Sequence, residues 1–107
     1  FANAASVQAE GARQTMAANL ASELMEIIRA TEYDAILATY GAYSESEGAL
    51  QDAAGHLHTG SACSGFSRAA VCQPAAVGPV ELIAVTVTVD YDGQEMTRLT
   101  TLVGDHE

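Results

Sequence analysis

The sequence has no lysine and no tryptophan, and its four basic residues, Arg13, Arg29, Arg68 and Arg98, face 14 acidic ones. The formal net charge is −10. A chain so acidic repels phosphate backbones and anionic lipid surfaces, which argues against nucleic-acid binding. No run is long and apolar enough to span a bilayer. Both prolines, Pro74 and Pro79, lie late in the chain, so none interrupts the first seventy residues. Phosphate-binding glycine loops, dinucleotide fingerprints and basic-aromatic patches are also missing.

Large apolar side chains are in short supply. The composition is 49% hydrophobic, but much of that is alanine, which buries little surface. Leu, Ile, Val, Met and a few aromatics must supply the core of what 107 residues make, one small domain. At roughly 25 cal/mol per Å² of apolar surface, such a core leaves a small margin. Extra support from a crosslink or a partner is expected.

Cysteine is scarce too, with Cys63 and Cys72 alone, both in a Gly/Ser/Ala-rich stretch. That setting and spacing favour a small disulfide ring, which chain entropy values at about 2.5–3 kcal/mol. The alternative is a zinc site from His56, His58, Cys63 and Cys72. All four residue types bind zinc, but the spacings match no standard finger and the cysteines lack the short C-x₂₋₄-C step.

What is present divides into three parts. Residues 1–31 read as one helix, with Met16, Leu20, Leu24, Ile27 and Ile28 at steps of three and four as the stripe that packs against a sheet. Gly11 is its weak point. Tyr33, Ile36, Leu37 and Tyr40 suggest one more short helical turn. Residues 41–78 read as a variable loop region, polar and small, with Glu45, Glu47, Asp52, both histidines of His56-Leu57-His58 and both cysteines. Residues 80–103 read as a β-hairpin. Ile83, Val85, Val87 and Val89 alternate with Leu82, Ala84, Thr86 and Thr88, and Asp92-Gly93 is a hairpin signal. A two-residue loop there would set Val87 against Arg98. A three-residue loop with Gly93 left-handed sets Leu99 opposite the odd-numbered valines and is the favoured register. The expected fold class is α+β, a long N-terminal helix packed on a small antiparallel sheet.

This order of elements resembles type IV pilus minor pilins and type II secretion pseudopilins. Residues 13–30, Arg13 to Ala30 with Leu20-Ala21-Ser22-Glu23-Leu24-Met25-Glu26, carry most of the likeness. They are similar to the Ala-rich stretch that follows the membrane helix in minor pilins. The second match is the hairpin, Val85 to Val89, the Asp-Gly turn, and Leu99 to Val103. Together they cover about half the chain. Phe1 is the residue type that opens many mature pilins, but Ala2-Asn3-Ala4-Ala5 departs from the apolar continuation of that family.

The resemblance implies a pilin-like fold and a mechanical role, as a structural subunit that joins or primes a pilus or pseudopilus, with no catalytic residue and no cofactor. Its partners would be other pilin or pseudopilin subunits, and the inner membrane through an N-terminal helix half absent here. It would reside in the bacterial inner membrane and periplasm, and in an extracellular filament when assembled. A reading of another class is a small periplasmic metal-binding module built on His56, His58, Cys63 and Cys72.

Catalysis finds little footing. Ser64 sits in Cys63-Ser64-Gly65, outside any G-x-S-x-G turn, and His56, His58 and His106 have no pattern that makes one a base. A reactive thiol needs an electropositive setting, and Arg68 alone is close in sequence. Asp90, Asp92 and Glu95 raise calcium as an idea, though the glycine falls too early for an EF-hand loop.

Overall fold

The computed structural model describes residues 2–58, 60 and 63–105, with the backbone alone for residues 2–9. Phe1 and His106 lie outside the described residues. Helix α1 runs Ala2–Ala30 and α2 Tyr33–Tyr40, followed by strands β1 Ala42–Glu45, β2 Phe66–Val77, β3 Val80–Tyr91 and β4 Gln94–Gly104. The strands form one antiparallel meander in the order β1-β2-β3-β4.

Helix α1 ends where Thr31 turns its hydroxyl back to the Ile27 carbonyl, 2.9 Å away. Arg29 in its last turn complements the negative end of the helix dipole. Its buried stripe is Ala17, Leu20, Ala21, Leu24, Met25 and Ile28. Met16 packs at the margin of the core, while Ile27 is half-exposed and Met25 takes the inward place. The helix rests mainly on β3 and β4.

The class is α+β, but the expected form, a long helix on a small pilin-like sheet, is overturned. The sheet has four strands, three of them 11 or 12 residues long, and is the larger layer. The helix docks on it from Ala17 to Ile28, while residues 10–15 are all exposed.

The region 41–78 is likewise not one loop, since β1 and the whole of the long β2 lie within it. In β2 the inward positions are Phe66, Arg68, Ala70 and Cys72. An arginine and an alanine at core positions erase the apolar alternation that normally marks a strand. Pro74 would also argue against one. The amide of Cys72 donates toward β1, to the Gly41 carbonyl, so the Pro74 nitrogen two residues on points to the same side. There β1, which pairs with residues 68–71, has already ended. Proline therefore costs no ladder bond.

The β3–β4 hairpin sets Leu99 opposite Val87 and Thr97 opposite Val89. It does so by a route other than a three-residue loop. Tyr91 pairs with Gln94 across the two-residue turn Asp92-Gly93, with φ of 53° and 82°, the both-left-handed form that Asp-Gly favours. A bulge then falls between Val89 and Asp90, with Met96 as the extra residue on β4. The bulge restores the face on which Ile83, Val85, Val87 and Val89 all lie buried. Apolar burial thus dictates the register, and the irregularity is placed to reach it.

Candidate functional site

Strand β2 carries Arg68 into the interior, where its side chain is 0% exposed. An arginine is tolerated there when its donors are met and its charge is balanced. Its Nε donates to Glu45 Oε1 at 2.6 Å, and Nη1 donates to the Leu20 carbonyl at 2.9 Å and to Glu23 Oε1 at 2.8 Å. Its Nη2 donates to the Gln51 carbonyl. These bonds reach α1, β1 and the segment between β1 and β2, so one guanidinium ties three parts of the fold to the sheet.

Each partner is placed by local structure. Glu45 stands opposite Arg68 in the β1–β2 register and is itself buried. Its other oxygen accepts from the Tyr43 hydroxyl, two residues along the same face. Burial and that carboxylate together push the Tyr43 phenol above its ordinary range. Glu23 projects from the docked half of α1. Burial alone would raise its pKa, but hydrogen bonds from His58 and Arg68 outweigh this and hold it below the usual carboxylate value. His58 Nε2 lies 2.9 and 3.2 Å from the two Glu23 oxygens.

His58 is presented by a miniature hairpin. Gln51 and Leu57 form a bridge, and the His58 amide donates to the Leu50 carbonyl at 2.8 Å. Asp52 closes the turn by accepting from the amides of Ala54 and His56, each at 2.9 Å. The His56 amide is foremost in lowering the Asp52 pKa. Leu50 anchors the unit in the core.

The residues singled out in the sequence do not converge. The expected Cys63–Cys72 disulfide is not formed, and both thiols are free. The cause is β2 itself. Six extended residues carry Cys72 about 20 Å from Phe66, and the three residues back to Cys63 can recover at most about 11 Å. A disulfide needs Cα atoms within about 7 Å. Cys72 is instead a buried core residue facing Val85's strand position, and burial raises its thiol pKa.

The same extension divides the zinc set, since Cys72 lies in the core, His58 on Glu23, and His56 on the exposed hairpin tip. Among the described residues, no three His, Cys, Asp or Glu side chains are grouped to hold a metal. Asp90, Asp92 and Glu95 do not gather either, because Asp92 occupies the turn and Glu95 accepts from Arg98 at 2.8 Å.

Sequence reasoning missed Glu45 and Arg68 as a pair. The available signal was an arginine at period two with Phe66, Ala70 and Cys72. A charge in a strand's inward row calls for an opposite charge opposite it.

No family model, no curated protein and no solved structure matches this chain.

Proposed function

We propose that this chain is a structural subunit of an envelope filament, of the minor-pilin or pseudopilin type, that meets its neighbours through the free half of α1. In this reading its role is mechanical and not catalytic, its partners are other subunits, and it works at the inner membrane and in the periplasm. The observation that carries it is the division of α1. Every residue from Glu10 to Thr15 is exposed, although the helix continues unbroken through them. Most helical stability in proteins comes from a packed face, and this stretch has little beyond Arg13 over the Tyr91 ring. It gains stability when neighbouring helices cover it, and Gly11 and Ala12 are small enough to let another backbone come close. The buried Arg68 cluster fits the same role, because it fastens the docked half to the sheet.

The coding sequence upstream of Phe1 tests this. About twenty apolar residues with an early glutamate, behind a short basic leader, are expected, a length that spans a membrane. A cleaved secretory signal or another folded domain there contradicts the filament role.

A further inference from the structure

We infer that the end of the domain formed by α2 and the tip of the β2–β3 hairpin docks a partner segment carrying aliphatic side chains flanked by lysine or arginine. Leu37 of α2, 39% exposed, stands at this end without cover from the chain. Between α2 and the hairpin runs a groove of about 490 Å³. Leu37, Pro74 and Ala76 line it together with Asp34 and Glu81, and no basic residue does. Tyr33 closes one side, donating from its hydroxyl to the Glu81 carbonyl at 3.3 Å. Glu32 and Asp105 line the adjoining hollow, where Arg29 is the one base.

The backbone offers a further handle. Strand β1 pairs with β2 no farther than Val71, so from Gln73 to Val77 this edge of β2 has no neighbouring strand. An extended segment lying there could bond the Pro74 and Ala76 carbonyls and the Ala76 amide, Pro74 having no amide to give, while placing a side chain in the groove.

Charge chooses the occupant. Apolar side chains suit the apolar lining, and the carboxylates of Asp34 and Glu81 select cations beside them. A second copy supplies these poorly. The chain has no lysine. Of its four arginines, Arg68 is buried, Arg98 is paired with Glu95, Arg13 lies over the Tyr91 ring, and Arg29 alone is exposed with no such engagement, set in the hollow beside the groove itself. Two such chains, each of formal charge −10, also repel each other. An anionic membrane surface is disfavoured for the same reason. The occupant is therefore a basic, aliphatic segment of another protein. This inference does not rest on the filament reading.

The test is an amide NMR titration of the intact chain with two peptides, acetyl-Lys-Leu-Val-Leu-Lys-amide and its counterpart with glutamate at both ends. The lysine peptide is expected to shift the amides of Leu37, Ala76, Glu81 and Leu82 saturably, and the glutamate peptide to leave them in place. Asp34→Asn with Glu81→Gln is expected to weaken the lysine peptide roughly tenfold, two exposed ion pairs being lost. Both positions border solvent, and the far-ultraviolet circular dichroism of the variant verifies its fold. Three outcomes overturn the proposal. One is equal binding of both peptides, and another is the absence of lysine-peptide shifts at this end. The third is concentration-dependent shifts of these same amides without peptide, which would make the surface a self-contact.

Discussion

From Ala17 to Ile28, helix α1 lies on the sheet with six buried residues, and Glu23 on its flank is held by Arg68 and His58. From Glu10 to Thr15 every residue of the same helix is exposed, and Arg13 lies over the Tyr91 ring at 4.8 Å. Both stretches are rich in good helix formers, so propensity does not separate them. What separates them is cover. The docked half is stabilised by apolar burial and a charge cluster inside this chain, whereas residues 10–15 have no such cover within it.

The difference can be broken most severely at Arg68. Replacing it with methionine leaves Glu45 buried without its counter-ion, and about 3–5 kcal/mol of stability is expected to be lost in urea unfolding. Adding Glu45→Leu to that variant is expected to recover much of the loss, because no unpaired charge then remains in the interior. A double variant no more stable than the single one would show that the cluster does not act as a pair. On the apolar side of the same interface, Leu24→Ala is expected to cost about 2–4 kcal/mol through the cavity it leaves.

Acid loosens the docked half more gently. The carboxyl of Glu23 has a folded-state pKa below its unfolded value of 4.5. Its contribution is therefore fully present above pH 4.5 and is lost as pH falls through the lower folded value. Unfolding midpoints measured down this range should fall less steeply for Glu23→Gln, which cannot titrate, than for the parent. Equal slopes would remove Glu23 from the acid response.

The smallest effect is predicted in the free half. A Cβ at Gly11 meets nothing within 4 Å, so Gly11→Ala introduces no clash. It removes a helix penalty of about 1 kcal/mol locally. Helical circular dichroism should rise while the global unfolding midpoint stays put, since residues 10–15 are not part of the cooperative core. A matching rise in the midpoint would mean that this stretch is already fastened to the sheet.

How far the sequence could be read follows the same physics. The helix and the β3–β4 hairpin were legible because burial writes its period into the chain, every three or four residues in Leu20, Leu24 and Ile28, every two in Ile83 to Val89. The exact turn was not, since Asp92-Gly93 fits more than one loop and the bulge at Met96 is set by what must face inward. Strands β1 and β2 were hidden because Tyr43, Glu45, Arg68 and Ala70 fill inward positions that usually carry large apolar groups. Their pairing is electrostatic, and charges 23 residues apart in sequence leave no local period. The cysteines misled for a related reason, because a loop-like composition around Cys63 concealed a strand that carries Cys72 away. The Arg68 cluster became visible once β1 and β2 were seen side by side.

Amide hydrogen exchange along α1, measured on the isolated chain, tests the central claim most directly. Slow exchange from Ala21 to Ile28 and fast exchange from Glu10 to Thr15 are predicted, with the boundary near Met16. Uniform slow exchange through Glu10 would contradict the account, because the first half of the helix would then need no neighbour to hold it.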